Sequence, residues 1–579
     1  MMQRFIGFIV SSVLVLLASS CQPVEKKITV LTTTDVHGAF FPSDAITGQT
    51  LPGSLAHISK YVNEQREKTD HEVLLLDNGD IIQGDPSVYY YNFENTEQVH
   101  LFTRAMHYLG YDAATIGNHD IEAGHPVYDR IRNGMQIPWL AANCIDKETG
   151  KPYFTPYSII RKGKIKIAVL GLITPRIPDW LPENIWSGMR FDDMIQSAAY
   201  WVPFIREEEK PDILIGLFHA GLDYTYNQQD ETTLKNENAV RLVARQVHGF
   251  DIIFAGHDHK TWNEYEIDPE GDSVLILGSS SKAKELAQAS IILQKHGRKW
   301  DVKKRSGTII SMKEIEPDQA FVDHFSEDIQ EIKSYVNLDL GHLSTPLSTS
   351  EAFFGPSAFM SFIHQVQLDL SGADLSFAAP LSFNTHMEPG VIKMNDLFDL
   401  YRFENLLYTM KLSGQEILDY LNYSYGLWFN HMQNPSDHLL QLVQNQNGRF
   451  STASAYYNFD SAQGIDYRVD ISKPIGNMLS IEQFTSGEPF DVDSEYMVAI
   501  NSYRGNGGGG HLVRGAGISE SELSTRLVKS TDKDLRFYMK KWITDRGNIE
   551  ITTIENWKVV PENLARAGAT KDYNILFKN

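Results

Sequence analysis

Five short polar clusters in the first half of the chain contain residue types that can hold metal ions. In sequence order they are Asp35-Val36-His37, Gly79-Asp80, Gly117-Asn118-His119-Asp120, His219 and Gly256-His257-Asp258-His259. Their oxygen and imidazole donors suit Zn, Mn, Fe, Co or Ni, and no thiolate is among them. The two-residue spacing of Asp35 and His37, repeated in His257 and His259, lets both side chains point to one side of an extended segment. One carboxylate can bridge two cations, and Asp80 is the natural candidate.

Short apolar runs rich in β-forming residues precede the polar clusters. These runs are 28–31, 73–76, 165–170, 213–215 and 252–254, and polar stretches typical of helices separate them. Alternating strands and helices predict an α/β layer structure, in which ligand sites lie at the carboxyl ends of the strands. A single cluster of this kind is more often a group of exposed polar residues, or a histidine that packs inside the protein. All five in order, each past an apolar run, predict a two-metal site.

The overall composition is that of a globular protein. The chain has 579 residues, of which 42% are hydrophobic and 22% charged, so a collagen, a coiled coil and a disordered chain are excluded. The formal net charge of −22 repels phosphate backbones, and a nucleic-acid polymer is therefore not an expected partner. Small anionic substrates are compatible with this charge, because metal ions dominate the field of a local site.

The first 20 residues have the pattern of a secretory signal. Arg4 precedes an apolar stretch shorter than the ~20 residues that span a bilayer. The segment Leu17-Ala18-Ser19-Ser20-Cys21 resembles a bacterial lipoprotein signal, in which the cysteine becomes the acylated N-terminus after cleavage. We therefore expect lipidation at Cys21 and an extracytoplasmic lipoprotein of the cell envelope, tethered to a membrane. The alternative is a buried apolar helix with an incidental cysteine.

The pattern changes near residue 312. Apolar residues then recur at intervals of three or four, as in an amphipathic helix: Phe321, Phe325, Ile329, Ile332 and Val336. Such a helix either joins two domains or ends the first one. We predict a first domain over residues 28–311, a linker helix within 312–345 and a smaller α+β domain over 346–579.

These motifs together resemble the two-domain 5′-nucleotidase and 2′,3′-cyclic-nucleotide 2′-phosphodiesterase/3′-nucleotidase family. The resemblance implies a calcineurin-like metallophosphoesterase domain, a β-sandwich flanked by helices, followed by a 5′-nucleotidase C-terminal domain that binds the substrate. It implies one metal ion held by Asp35, His37, Asp80 and His259, and another held by Asp80, Asn118, His219 and His257. It also matches His119 and Asp120 to the catalytic His–Asp pair of the family. We expect His119, held by Asp120, to stabilise developing charge or to protonate the leaving group.

Recognition of the substrate is expected from the second domain. In the family, two aromatic rings of this domain sandwich the nucleobase, and Tyr457 and Tyr503 are the candidates here. Tyr503 lies just before four consecutive glycines, which lack the Lys-Ser/Thr that a phosphate-binding P-loop requires. Arg402 and Arg504 are candidate contacts to the substrate anion.

Two departures from the 5′-nucleotidase branch favour a different substrate. Its Asn-x-Gly-Gly-x-Arg run is replaced by residues 378–383, which contain no arginine, and Gly509 stands where that branch has an acidic residue. We predict a dinuclear-metal nucleotide phosphohydrolase that acts on 2′,3′-cyclic or 3′-phosphates. The alternatives are a 5′-nucleotidase or UDP-sugar hydrolase, and a lipoprotein that binds nucleotides without turnover. If the two domains carry chemistry and base recognition separately, turnover also requires their closure.

Overall fold

The computed structural model describes residues 24–297, 299–445 and 448–578, so Cys21 lies outside the described residues. The first part of the chain contains two six-stranded sheets. In spatial order, the first sheet contains β14 (Lys299–Ser311), β13 (Glu285–His296), β1 (Glu25–Thr33), β2 (Glu72–Asp77), β3 (Ala113–Thr115) and β4 (Trp139–Leu140). The second contains β11 (Trp262–Ile267), β12 (Ser273–Gly278), β10 (Ile252–Ala255), β9 (Ile213–His219), β7 (Ile165–Ile173) and β6 (Tyr157–Lys162).

The two sheets pack face to face around an apolar layer. Ile28 and Val30 of β1 and Ile213 and Ile215 of β9 belong to one cluster between the sheets and are fully buried. Strands β1, β2 and β3 are parallel to one another, as are β7, β9 and β10. Near-continuous apolar runs suit such strands, because both of their faces are buried.

Helices cover the outer faces of the sandwich. They are α1 (Leu55–Arg66), α2 (Pro86–Tyr89), α3 (Leu101–Leu109), α4 (Asn118–Glu122), α5 (His125–Gly134), α6 (Ile177–Trp180), α7 (Met194–Glu208) and α8 (Val240–Gln246). Two short strands, β5 (Cys144–Asp146) and β8 (Met189–Phe191), pair beside them. On α1, Leu55, Ile58 and Val62 recur at helical spacing and enter the core, which is why this segment is a helix against the sheet.

The segment between the two parts contains two helices instead of the single one predicted. α9 (Gln319–His324) and α10 (Ser326–Val336) meet at Phe325, whose ψ of 20° interrupts the helix. Phe321 and Phe325 pack into the core of the first part, whereas Val336 packs into that of the second. The apolar stripe therefore contacts both parts, and the domain limits 28–311, 312–345 and 346–579 stay a prediction.

The second part is built on a five-stranded mixed sheet. Its spatial order is β23 (Ser461–Gln463), β17 (Leu375–Ala378), β26 (Glu495–Asn501), β20 (Leu406–Ser413) and β27 (Leu527–Asp534). The helices are α11 (Ala358–Ser371), α12 (Met394–Leu400), α13 (Gly414–Trp428), α14 (Ser502–Gly505), α15 (Glu520–Arg526), α16 (Leu535–Arg546) and α17 (Glu562–Phe577). Smaller sheets contain β15 (Asp339–Leu343), β16 (Leu347–Ser348), β18 (His386–Met387), β19 (Gly390–Lys393), β21 (Leu442–Gln444), β22 (Phe450–Thr452), β24 (Ile465–Asp470), β25 (Leu479–Phe484), β28 (Asn548–Ile549) and β29 (Trp557–Val560).

Direct hydrogen bonds join the two parts. Tyr89 Oη donates to Asp534 Oδ1 at 2.8 Å, and Lys540 Nζ donates to Glu94 Oε1 at 2.6 Å. Asn506 Nδ2 of the glycine-rich loop donates to the backbone oxygen of Trp180. Across the described residues, none of the helices combines the length and the apolar character that a membrane crossing needs.

Candidate metal centre

The predicted ligands lie in the loops that follow parallel strands, at one end of the sandwich. Five of them have backbones in the left-handed region: Asp35 (φ 50°), His37 (φ 46°), Asp80 (φ 58°), His257 (φ 71°) and His259 (φ 55°). This conformation is unfavourable for residues other than glycine, and such strain concentrates at functional sites. The loops also approach closely: a Cβ on Gly117 would lie 2.1 Å from Asp80 Oδ1, so only glycine fits there.

One group of donors comprises Asp35, His37 and His259. His37 Nε2 lies 3.0 Å from His259 Nε2, and His259 Nε2 lies 3.4 Å from Asp35 Oδ1. Asp35 is fully buried, whereas the His259 side chain is 46% exposed, so the group opens toward solvent on one side. Burial lowers the pKa of His37 to about 4, which keeps its imidazole neutral and able to bind a cation.

A second group comprises Asp80, Asn118, His219 and His257. His219 Nε2 lies 3.1 Å from both Asp80 Oδ2 and Asn118 Oδ1, and His257 Nδ1 lies 2.8 Å from Asn118 Oδ1. His219 Nδ1 donates to the backbone oxygen of Asn78 at 2.6 Å, which turns Nε2 toward the group.

The second group also shows that its donors fit a cation. Asp80 is 1% exposed, and its Oδ2 faces His219 Nε2 at 3.1 Å inside this group of donors. Burial alone would lower the pKa of His219, but the Asp80 carboxylate raises it to about 9. A proton on His219 thus compensates the buried carboxylate, and a bound cation would take over this role and release the proton.

Asp120 supports the ligand loops and does not contact the His119 ring. Its Oδ2 accepts from the backbone N–H groups of Asp80 (2.9 Å) and Gly117 (2.8 Å), and its Oδ1 from those of Ile81 (3.0 Å) and Ile82 (3.1 Å). The prediction that Asp120 holds the His119 imidazole is therefore wrong, because all of these bonds turn its carboxylate into the protein.

Glu122 holds the catalytic candidate instead. His119 Nδ1 lies 2.5 Å from Glu122 Oε2, across one turn of α4. Burial lowers the pKa of His119, but the charges of Asp80 and Glu122 outweigh this effect and raise it to about 10. The sequence analysis missed Glu122 because it paired neighbours in the chain, whereas residues three apart face each other on a helix.

Two further residues that the sequence analysis missed contact His257. Glu237 Oε1 lies 3.1 Å from His257 Nε2, which directs Nδ1 toward Asn118. The Trp180 ring stacks on the His257 ring at a centroid distance of 5.5 Å and an angle of 20°. No local motif predicts either contact, because Trp180 ends α6 and Glu237 lies in the loop before α8.

The two tyrosines predicted to bind the base lie next to each other in the second part. Their ring centroids are 6.3 Å apart, at an angle of 83°. Tyr503 is 44% exposed, and Tyr457 also contacts the Phe403 ring edge to face at 5.9 Å. Since a base stacks between parallel rings, one tyrosine has to turn before this pair can sandwich a base.

Arg504 is not available to a substrate, and its predicted anion contact is wrong. The residue is 1% exposed and forms a buried ion pair with Asp460, in which Nε lies 2.8 Å from Oδ2. Its other nitrogens donate to protein oxygens, including the backbone oxygens of Tyr457 (2.6 Å) and Gly508 (2.8 Å). Arg504 therefore ties the Tyr457 loop to the loop that carries Tyr503. Arg402 is exposed, and its contact to substrate stays a prediction.

A cavity of about 220 Å³ lies between the two parts beside Glu122, the residue that contacts His119. Glu122 and His125 line it from the first part, and Glu404, Ser502 and Asp534 line it from the second. Glu404 also accepts a long hydrogen bond, 3.4 Å, from the backbone N–H of Gly84. The second part therefore borders the candidate metal centre directly.

Comparison with known families agrees with this architecture. The profile of the calcineurin-like phosphoesterases matches residues 28–261, and that of the 5′-nucleotidase C-terminal domain matches residues 339–514. The chain is a calcineurin-like phosphoesterase with a 5′-nucleotidase C-terminal domain. The predicted family and fold class are thereby confirmed. The family is a nucleotide phosphohydrolase family that depends on divalent metal ions, and the two His/Asp groups are the candidate sites for them.

Individual relatives align with most of this chain at low identity. The trifunctional nucleotide phosphoesterase protein YfkN of Bacillus subtilis is 25% identical over 93% of this chain, which spans 39% of that protein's length. The 2′,3′-cyclic-nucleotide 2′-phosphodiesterase/3′-nucleotidase of Yersinia enterocolitica is 24% identical over 96% of this chain and 91% of its own length. A crystal structure from Staphylococcus aureus, in complex with alpha-ketoglutarate, covers 92% of this chain and matches over its full length, with a TM-score of 0.70 and 19% identity. The last comparison shows the fold alone.

Proposed function

We propose that this phosphoesterase hydrolyses nucleotide phosphate esters, with 2′,3′-cyclic and 3′-phosphates as its preferred substrates. The observation that carries the proposal is the closeness of two donor groups, since the backbone N–H of His257 in one lies 3.2 Å from Asp35 Oδ1 in the other, with His119 beside Asp80 and held by Glu122. Relatives that align with 68–96% of this chain bear the names of cyclic phosphodiesterase/3′-nucleotidases and 5′-nucleotidases. The absence of the arginine motif from residues 378–383 favours the first of these substrate classes.

Seven residues would hold two divalent ions, with Asp80 shared between them. One ion would be bound by Asp35, His37, Asp80 and His259, and the other by Asp80, Asn118, His219 and His257. The chemistry supplied by such a pair is Lewis-acid stabilisation of the phosphoryl oxygens. N/O donors of this kind suit Zn, Mn, Fe, Co or Ni.

His119 acts on the leaving oxygen of the ester. Glu122 Oε2 lies 2.5 Å from Nδ1 and stabilises the protonated form of the ring. Its free nitrogen, Nε2, then donates to the oxygen on which negative charge develops, or transfers the proton to it. Since 36% of the His119 side chain is exposed, an ester bound at the donor groups can reach it.

The second domain selects the nucleotide. Tyr457 and Tyr503 stack on the base, and Arg402 on the exposed loop beside Phe403 contacts the substrate anion. Asn506 links this region to the metal centre, because it binds the backbone of Trp180, which stacks on His257. The location that we propose is outside the cytoplasm, with a lipid anchor at Cys21.

A panel of substrates tests this function. We expect phosphate release or ring opening with 2′,3′-cyclic AMP and 3′-AMP, in the presence of Mn, Zn or Co, at higher kcat/KM than with 5′-AMP or UDP-glucose. A preference for 5′-AMP or UDP-glucose would favour the 5′-nucleotidase or UDP-sugar hydrolase alternative. Binding of nucleotide without hydrolysis, with every metal supplied, would leave only the non-catalytic lipoprotein. Incorporation of labelled palmitate into the wild type but not into Cys21→Ala tests the anchor.

A further inference from the structure

The end of the sandwich opposite the metal centre carries the beginning of the described chain. β1 begins there at Glu25, which pairs with Gln294 next to the turn between β13 and β14. The β6–β7 turn lies at the same end, since a Cβ on Gly163 would be 3.1 Å from Lys26 Nζ. β1 has nine residues, which corresponds to about 30 Å between this end and the metal centre.

Basic side chains concentrate at this end, although the whole chain has a net charge of −22. The described cations there are Lys26, Lys27, Arg161, Lys162, Lys164, Lys166, Lys295, Lys299, Lys303, Lys304 and Arg305. Five of them are paired with carboxylates. These pairs are Lys27–Asp70, Lys162–Asp112, Lys166–Glu209, Lys303–Glu25 and Arg305–Asp251.

A second set of cations at this end is exposed and, within the described part of the chain, has no carboxylate partner, although Lys295 Nζ lies over the Trp300 ring at 5.9 Å. Within the described residues, no carboxylate oxygen lies within 4.0 Å of the charged nitrogens of Arg161, Lys164, Lys295, Lys299 or Lys304. These five belong to the two adjacent turns and the strands that flank them. Exposed Glu72 and Asp301 lie nearby and reduce the local charge, but Asp301 is itself bonded to His296 at 2.8 Å. The two turns therefore form a basic surface on an acidic protein.

We propose that this basic surface contacts the anionic headgroups of a phospholipid membrane. Only three residues separate Cys21 from Glu25, and a chain of that length spans at most about 14 Å. An anchor at Cys21 would thus place this end of the sandwich at the bilayer surface. Fixed cations bind there to anionic lipids, within a Debye length of about 8 Å at physiological salt.

The charge distribution also fixes the orientation of the protein. The acidic remainder is repelled by an anionic surface while the two basic turns are attracted to it. The metal centre, at the other end of the parallel strands, then faces away from the membrane. Small substrates reach it from the surrounding solution.

Fluorescence quenching tests this orientation with the full-length chain. The chain is reconstituted into vesicles of phosphatidylcholine, with or without phosphatidylglycerol, that contain a quencher in the bilayer. A fluorophore is attached to His296→Cys at the basic turn, or to Glu231→Cys in a loop beyond β9 at the opposite end. The native Cys144 is buried and is not labelled. We expect strong quenching at position 296 and weak quenching at 231 in the anionic vesicles only.

Charge variants decide whether the basic surface causes the effect. In the triple variant Lys164→Glu, Lys299→Glu and Lys304→Glu, quenching at position 296 should fall to the level of position 231. The matched variant Lys473→Glu, Lys529→Glu and Lys558→Glu changes the same number of exposed lysines in the second domain and should keep the quenching. Equal quenching at 296 and 231, or equal loss in both triple variants, would overturn the proposal. So would binding of a single-stranded oligonucleotide by these turns in place of anionic vesicles.

Discussion

Glu122 Oε2 lies 2.5 Å from His119 Nδ1, and this contact separates the roles of the two acidic residues that follow the histidine in sequence. Asp120, directly next to His119, binds four backbone N–H groups of the ligand loops. Glu122 therefore stabilises the protonated His119, whereas Asp120 holds the ligand loops of the metal centre in place. The two roles can be separated by experiment.

Glu122→Gln is expected to lower kcat about 10- to 100-fold, because an amide does not stabilise the imidazolium of His119. Metal content should stay at the wild-type level, since Glu122 touches none of the predicted ligands directly. Phosphate release and elemental analysis measure the two quantities. The same substitution in a His119→Ala background should change kcat very little. An additive loss there would contradict a role through His119.

Asp120→Asn is expected to reduce metal content and thermal stability together. Each carboxylate oxygen accepts two backbone N–H groups, so an amide nitrogen in either position faces two donors. An unsatisfied buried group costs about 1–3 kcal/mol, and two such groups should lower the melting temperature by several degrees. Elemental analysis and thermal denaturation check this. Loss of turnover with metal content and melting temperature unchanged would return Asp120 to the catalytic role.

Tyr503→Ala is expected to raise KM for nucleotides about 10-fold or more, because stacking contributes about 1–3 kcal/mol per base. Hydrolysis of p-nitrophenyl phosphate, which has no base, should be unaffected. Tyr457→Ala should also raise KM for nucleotides and leave p-nitrophenyl phosphate hydrolysis unaffected, since both rings belong to one pair. The exposed Tyr200, on the outer helix α7, provides the matched control. Parallel losses on both substrates would exclude base stacking.

Arg504→Lys is expected to act like the tyrosine substitutions and not like the loss of an anion contact. Lysine cannot reproduce the fork that joins Asp460 to the backbone oxygens of Tyr457 and Gly508, so the two loops should separate. KM for nucleotides should rise while kcat on p-nitrophenyl phosphate is retained. Circular dichroism confirms that the variant is folded. An equal loss of activity on nucleotides and on p-nitrophenyl phosphate would mean that Arg504 contacts the substrate phosphate.

Glu404→Gln is expected to flatten the dependence of stability on pH. Burial raises the pKa of Glu404 from 4.5 to about 8, so between these values the folded protein binds a proton that the unfolded chain does not. This contribution to stability is complete below about pH 4.5 and is lost as the pH rises toward 8. The variant should therefore gain stability relative to the wild type between pH 5 and 8. Denaturation midpoints at pH 5 and at pH 8 measure this difference. The exposed variant Glu351→Gln is the control. Parallel curves of stability against pH for wild type and Glu404→Gln would be the contrary result.

Much of the candidate site could be predicted because metal ligands follow strands in a local pattern. The seven predicted donors meet in two groups, since parallel strands deliver their carboxyl ends to one end of a sandwich. The helices α11 and α13 begin at Ser357 and Ser413, whose side chains accept from the backbone N–H groups of Met360 and Glu416, and such caps are local features of the sequence. The single helix predicted for 312–345 is two helices, because the backbone of Phe325 leaves the helical conformation.

Sequence alone determined the donor chemistry, the family and the order of the two domains, because these depend on residue types at short spacing. Only the tertiary structure decided which acid binds His119, that Arg504 is buried against Asp460, and that Glu237 and Trp180 contact His257. The same holds for the basic surface, whose two turns lie about 130 residues apart in the chain but side by side in space. Contacts between distant segments are set by how the sheets and loops pack, and no local pattern encodes them.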